Sequence, residues 1–251
     1  MNKKNLKLFN SISVVSSFYN EEKNVDKLWY QLNEVEELIS IKQFIFVDNG
    51  SNDSTYIQLQ KIKSLDKRIL IFRNNYPSTY SKGFSTALRY STSDYSLIIH
   101  SDLQVNIKLA IEKWINKINE SQKDFDKKDF VFLTFRKNRS LFESIITYSN
   151  IKLSSFILSW NMQFDFNSQP KILPTKYLKE FICTDSYAFD LAIVNYLYQI
   201  SKKINNLEFF EPIPVIVKNR KYGQSSWSKS PLKFFKMILN YLFFSIKLRF
   251  R

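Results

Sequence analysis

Three short stretches in the first 104 residues place carboxylates where an apolar run gives way to a polar turn. The first is Tyr19-Asn20-Glu21-Glu22, shortly after SISVVS. The second is Val47-Asp48-Asn49-Gly50-Ser51-Asn52-Asp53, after QFIF. The third is Ile98-Ile99-His100-Ser101-Asp102-Leu103-Gln104. A carboxylate at a strand end can accept hydrogen bonds from a nucleobase or a ribose. A hard divalent cation takes oxygen ligands, so Asp102 can supply one while a diphosphate supplies others. Gln104 adds an amide oxygen one strand period further on. His100, the chain's single histidine, precedes Asp102 by two residues, on the same pleat side. Each cluster also has a structural reading. Acidic residues at a helix start favour its dipole, an Asp in a strand–turn–helix link can cap the helix, and a lone histidine is ordinarily structural.

The elements that must hold these clusters alternate along the chain. Residues 11–16, 43–47, 68–72, 95–99 and 130–135 read as strands, and residues 20–39, 53–64, 81–90 and 109–118 as helices. The first helix carries Val25, Leu28, Trp29, Leu32, Val35 and Leu38 at helical spacing, and Asp53 is placed to cap the second. This alternation predicts a mostly parallel α/β sheet, with ligands bound beyond the carboxyl ends of its strands. Ser17, Asn20, Glu21, Asp48, His100 and Asp102 gather at those ends. The second half is less regular. It reads as a long apolar helix over 141–160, a loop and short strand over 165–174, one or two helices over 185–204, and a strand over 209–217. Pro212 and Pro214 suit that strand to a sheet edge.

A chain of 251 residues, 44% hydrophobic and 24% charged, has room for a substantial core in one domain or two joined halves. The expected domain is 1–230, with halves at about 8–110 and 111–230. The single cysteine, Cys183, excludes an internal disulfide and a cysteine-based zinc site, and suits a reducing cytoplasm. Neither a signal-peptide pattern nor a run of 18 apolar residues is present. Only three glycines occur, Gly50, Gly83 and Gly223, all in motif loops, where backbone geometry demands them. The net charge of +14 points to an anionic partner. From Pro212 onward there are nine Lys or Arg and no Asp or Glu. Residues 231–251 read as a basic amphipathic helix, with Lys229, Lys233, Lys236, Asn240, Lys247 and Arg251 near one stripe. It is suited to a bilayer interface, or else to packing on the domain. No basic stripe interleaved with aromatics lies inside the domain, which argues against specific nucleic-acid binding.

In this order and spacing the clusters resemble glycosyltransferase family 2, especially its polyprenyl-phosphate (dolichol-phosphate mannosyltransferase-like) sugar transferase branch. Lys82-Gly83 with Ala87, Phe135-Arg136 with Arg139, and Asn167-Ser168-Gln169-Pro170-Lys171 extend the resemblance. Phe189-Asp190-Leu191, and Pro214-Val215 with Arg220, Gly223 and Ser225, complete it over about residues 11–228. The resemblance implies a Rossmann-like, three-layer A-type glycosyltransferase fold and inverting transfer from a nucleotide-diphosphate sugar, assisted by Mg²⁺ or Mn²⁺. It implies donor binding by Tyr19, Asn20, Glu21, Asp48, Gly50, Ser51, Lys82, Ser101, Gln104 and Arg220, with Glu21 and Asp48 at the nucleoside. Asp102 would hold the cation, with Gln104 and His100 beside it. Arg136, Arg139 and Arg220 would face donor or acceptor phosphates. A lipid-phosphate acceptor is already ionised and needs no base. A saccharide hydroxyl does need one, and Asp165 is the candidate. Asp190 is the alternate, set against a structural helix-facing role. Three residues depart from the family pattern: Ser17 for a proline, His100 for the first Asp of Asp-x-Asp, and Ser226 for a lysine. The expected partners are a nucleotide-sugar donor, a lipid-phosphate or glycan acceptor, and the inner face of a membrane. The alternatives are a saccharide acceptor in cell-surface polysaccharide synthesis, and a catalytically degenerate nucleotide-sugar-binding or scaffold protein.

Overall fold

The computed structural model describes residues 9–161, 163–183, 188–218 and 231–250, with the backbone alone over 231–237. Four parallel strands form its centre: β1 (Ile12–Phe18), β2 (Ile41–Asp48), β3 (Ile69–Arg73) and β4 (Tyr95–His100). The fifth strand of the sheet, β7 (Lys171–Pro174), pairs antiparallel with β4, giving the order β3-β2-β1-β4-β7. Parallel strands covered on both faces read as nearly unbroken apolar runs, and only Lys42 of β2 is exposed. Alternate residues serve opposite faces. Val14, Phe44, Phe46 and Leu97 join one core with α1 (Val25–Val35), α2 (Thr55–Leu65) and α4 (Ile107–Glu120). Val15, Ile45, Val47 and Ile98 join a second with α3 (Tyr80–Arg89) and α6 (Phe189–Lys203). The result is the three-layer α/β arrangement of the A-type glycosyltransferase fold.

Several expected boundaries shift. The helix expected from residue 20 starts at Val25, because Asn20 is left-handed (φ 55°) and its segment docks on a neighbouring loop. Ser54, not Asp53, occupies the cap position of α2, although Asp53 Oδ1 still accepts the Thr55 N–H at 2.9 Å. The strand expected over 130–135 is two, β5 (Asp129–Val131) and β6 (Thr134–Lys137). Their parallel partners β8 (Leu207–Phe209) and β9 (Ile213–Ile216) divide the strand expected over 209–217. At the break, Phe132 exchanges backbone bonds of 2.9 and 3.0 Å with Ile172, tying this region to β7.

Helix α5 (Leu141–Leu158) opens with a capping box formed by Ser140 and Glu143. Beside it runs α7 (Pro231–Arg249). Ser245 donates to Ser154 Oγ at 3.1 Å, and Arg249 donates to Ser159 Oγ at 2.5 Å. Among the described residues, no helix is long and apolar enough to cross a membrane.

Candidate active site

The crest of the parallel sheet positions the acidic clusters. Across β1, Phe18 is in register with Asp48 and Ser17 with His100. Asp48 and His100 therefore end two strand spacings apart, about 10 Å, on either side of β1. Ser101 Oγ donates to the Ser17 carbonyl at 3.0 Å, holding the turn after β4 against β1. The regular strand stops at His100, and Leu103 is left-handed (φ 57°), a conformation costing a leucine about 1 kcal/mol or more. The expectation that His100, Asp102 and Gln104 share one pleat side is thereby corrected: the last two lie beyond the strand, Asp102 in a turn. Asp102 is buried, and its Oδ1 accepts the Gln104 N–H at 3.3 Å. Gln104 Nε2 donates to the Lys218 carbonyl at 3.0 Å, and the Gln104 carbonyl accepts the Lys218 N–H at 2.8 Å. Gln104 thus fastens the segment leading to Arg220, which lies, with Gly223, outside the described residues.

The first two motif loops interlock. Asn20 N–H donates to Ser51 Oγ (3.0 Å), Asn52 N–H to Asn20 Oδ1 (3.0 Å), Glu21 N–H to Thr55 Oγ1 (2.8 Å) and Ser54 N–H to Glu22 Oε2 (3.0 Å). Glu21 Oε2 accepts from Asn24 Nδ2 at 2.5 Å, and Tyr19 is half exposed. Asp48 is fully buried. Its Oδ1 accepts the Ser51 N–H at 3.0 Å. Its Oδ2 lies 3.2 Å from Arg73 Nε, near enough for charge attraction but without hydrogen-bond alignment, so a buried acceptor is left without a hydrogen bond. The Arg73 guanidinium in turn sits 4.3 Å from the Tyr56 ring centre. Sequence reading missed Arg73 by ending the third strand one residue early. Two glycines shape the crest. Gly50 has φ 81°, and a Cβ there would fall 2.4 Å from the Tyr76 carbonyl carbon. At Gly83 a Cβ would meet Ser17 Oγ at 2.4 Å, so the glycine brings the start of α3 down onto β1. Lys82 stands exposed beside it.

Behind the crest, His100 belongs to a buried polar network. The Tyr80 hydroxyl donates to Asp190 Oδ2 at 2.9 Å, lies 2.8 Å from His100 Nε2, and accepts from Gln169 Nε2 at 3.1 Å. With its one proton given to Asp190, this hydroxyl accepts from His100, so Nε2 carries the hydrogen. That nitrogen is engaged by the Tyr80 hydroxyl. Lys171, wholly buried, donates to Asp190 Oδ1 at 2.5 Å. Burial pushes the Lys171 amine below its usual pKa against the opposing pull of Asp190. Burial, followed by the Asp190 charge, raises Tyr80 well above the phenol range. Asp190 is thus placed as a buried counter-ion, the structural reading of that residue.

A second ion pair organises the other half. Asp165 Oδ2 accepts from the Arg136 backbone N–H and Nε at 3.0 and 2.9 Å, and Oδ1 from Nη2 at 2.6 Å. A carboxylate that takes three bonds from one half-buried arginine aims that arginine. Asp165, the candidate base, stands in this structure as the counter-ion of Arg136. Arg139 donates to Thr147 Oγ1 at 2.8 Å and to Glu143 Oε1 at 3.4 Å. Burial, then the Arg136 charge, depresses its pKa. Two arginines three residues apart in the chain suit an anion, whose oxygens guanidinium groups can bind. Nearby is a cavity of about 360 Å³ lined in part by Phe135, Tyr148, Ile151, Gln163 and Asp165.

A family model described as Glycosyl transferase family 2 matches residues 13–172, well over half the chain and all three acidic clusters. The chain belongs to glycosyl transferase family 2. It is a glycosyltransferase with the fold of that family. Similar solved structures include glucosyl-3-phosphoglycerate synthase from Mycobacterium tuberculosis with Mn²⁺, uridine diphosphate and glucosyl-3-phosphoglycerate. It is 13% identical, with a TM-score of 0.64, covering 99% of this chain and 85% of that one. The same enzyme with Mn²⁺, uridine-diphosphate-glucose and glycerol 3-phosphate is 14% identical, with a TM-score of 0.64, covering 99% and 84%. With Mn²⁺, uridine diphosphate and phosphoglyceric acid it is 14% identical, with a TM-score of 0.65, covering 97% and 80%. At these identities the likeness establishes the fold. A search of curated proteins finds no match.

For this family 2 chain the fit of a divalent cation can be tested on its own side chains. Among the described residues, no three His, Cys, Asp or Glu side chains group as a cation site. Asp102 nevertheless offers a hard carboxylate donor just past β4, which fits a cation shared with diphosphate oxygens rather than one caged by protein alone. Tyr19, Asn20, Glu21, Asp48, Gly50, Ser51, His100, Ser101, Asp102 and Gln104 come together along the crest. Lys82 lies at the start of α3, Arg136 on β6, Arg139 in the link between β6 and α5, and Asp165 in the loop before β7.

Proposed function

We propose that this glycosyltransferase moves a sugar, with inversion at the anomeric carbon, from a nucleotide-diphosphate sugar to a polyprenyl phosphate or related lipid-linked phosphate at the inner face of a membrane. The observation that carries this reading is the Arg136–Arg139 pair, with Asp165 committed to Arg136. A site that positions an anion and holds its nearest carboxylate in an ion pair is suited to an acceptor already ionised near pH 7. The similar solved structures hold phosphoglyceric acid or glycerol 3-phosphate, which are phosphorylated too.

On the donor side, the Asp48 carboxylate and the Glu21 loop would receive the nucleoside, the unbonded Asp48 Oδ2 finding its donor on the base or ribose. Asp102, with the Gln104 turn beside it, would hold Mg²⁺ or Mn²⁺ against the diphosphate. A cation there offsets the charge that develops on the leaving nucleoside diphosphate. Arg136 and Arg139 hold the acceptor phosphate so that its oxygen meets the anomeric carbon on the face opposite the leaving group.

Asp102→Ala tests this reading. Transfer of labelled sugar into organic-extractable lipid should fall about a thousandfold, and unchanged transfer would end the assigned metal role. Product in the aqueous glycan fraction would instead favour a saccharide acceptor. A second reading, a chain that binds nucleotide sugar without transferring it, is favoured by the His100 Nε2 hydrogen turned inward to Tyr80. A thermal-shift panel of nucleoside-diphosphate sugars with Mn²⁺ separates the two: binding without turnover supports that reading.

A further inference from the structure

Helix α5 is built inside out. At 100° per residue, Leu141, Ile145, Tyr148, Lys152 and Phe156 fall within an arc of about 80°, and every one of them is exposed, Phe156 to 86%. Phe142 and Leu153 widen the same exposed stripe. The opposite side, turned into the protein, buries Asn150 and Ser154 along with Ile146 and Leu158, and Ser155 is buried at the edge of the stripe. A helix on a water-soluble surface shows the reverse pattern. Small polar residues between packed helices with apolar residues outside is the pattern of helices that face lipid. Its neighbour repeats the theme: Ser245 is buried on Ser154, while Leu239, Phe243 and Ile246 form an outward stripe on α7, with Phe243 79% exposed and Phe250 exposed just past the helix end.

We propose that the α5 stripe, flanked by α7, is the surface by which this chain lies on an anionic lipid bilayer. Charge selects the occupant. Lys152 sits within the α5 stripe, 5.3 Å from the centre of the Tyr148 ring, and α7 carries four Lys or Arg and no acid. Glu143 is the one acid of α5, and it faces Arg139. Aromatic and aliphatic side chains entering the interface while cations meet lipid phosphates is the balance of forces of an interfacial helix. A second copy is a poorer partner, since each chain carries a net charge of +14 and would bring its own cations to the seam. This extends the acceptor reading above but rests on separate observations. Vesicle binding is measured without sugar transfer, so the two proposals fail independently.

Sedimentation of the full chain with phosphatidylcholine vesicles, alone or mixed with phosphatidylglycerol, provides the test. Binding should require the anionic lipid and weaken with salt. Ile145→Ser combined with Phe156→Ser should lower the partition coefficient at least about tenfold, and Phe243→Ser should lower it less. Ile57→Ser, an exposed apolar site on α2, should leave it unchanged. Equal vesicle binding by the α5 variant would overturn the proposal. So would light scattering that shows a dimer of the parent chain turning to monomer in that variant, because a second copy would then cover the stripe.

Discussion

The crest of the parallel sheet and the region beyond α4 are held together by different forces. At the crest, neutral backbone N–H groups donate to side chains of the facing loop, Asn20 to Ser51 and Glu21 to Thr55 among them, over a sheet whose core is apolar on both faces. In the second region, a largely buried ion pair, Arg136–Asp165, and a fully enclosed one, Lys171–Asp190, organise short strands and loops. A buried ion pair adds little net stability when intact and is costly when one partner is removed. The crest should therefore lose activity before stability, whereas the second region should lose both together.

Lys171→Met is the severest test of that contrast. It leaves Asp190 buried beside Tyr80 without its cation and should destabilise the chain by about 3–5 kcal/mol, read as a fall in denaturation midpoint. Lys171→Met with Asp190→Leu should recover much of that loss. If the single variant is as stable as the parent, the pair is not the organiser described. On the crest side, Asp102→Ala should give its thousandfold activity loss with a melting temperature close to that of the parent. A large drop in melting temperature would erase the distinction between the regions. Asp165→Asn is expected to cost about 1–3 kcal/mol, with activity falling in step with that of Arg136→Gln. A base would instead show a full loss of turnover with stability unchanged and a shifted pH profile. The smallest effect belongs to the start of α5. Ser140→Ala removes the capping box and should cost about 1 kcal/mol by chemical denaturation. Burial raises the Glu143 pKa, but the Ser140 bonds and Arg139 outweigh it, so the folded value lies below the ordinary 4.5. The stability Glu143 contributes is therefore present above pH 4.5 and is lost as pH falls through its folded value. Ser140→Ala should shrink that acid-side loss.

The crest was legible because its determinants are local in the chain. An apolar run, an acidic turn and a capped helix follow within about ten residues at each cluster, and strand alternation alone brings them to one edge. Arg73 escaped only because strand ends are uncertain by a residue. The second region was legible as motifs but not as roles. Asp165 and Arg136 lie 29 residues apart and Tyr80 and Asp190 lie 110 apart. Nothing in their spacing says that the first carboxylate is tied up by an arginine, or that the second takes the proton which fixes the His100 tautomer.

The α/β order, the acidic strand ends and the need for glycine at Gly50 follow from the sequence alone, since periodicity, turn chemistry and backbone sterics act over a few residues. Tertiary structure decided which carboxylates bond to neighbouring loops and which are neutralised by cations. It also decided which side of α5 faces outward, for a helix with apolar residues on most sides acquires an inside only when its neighbours pack against it.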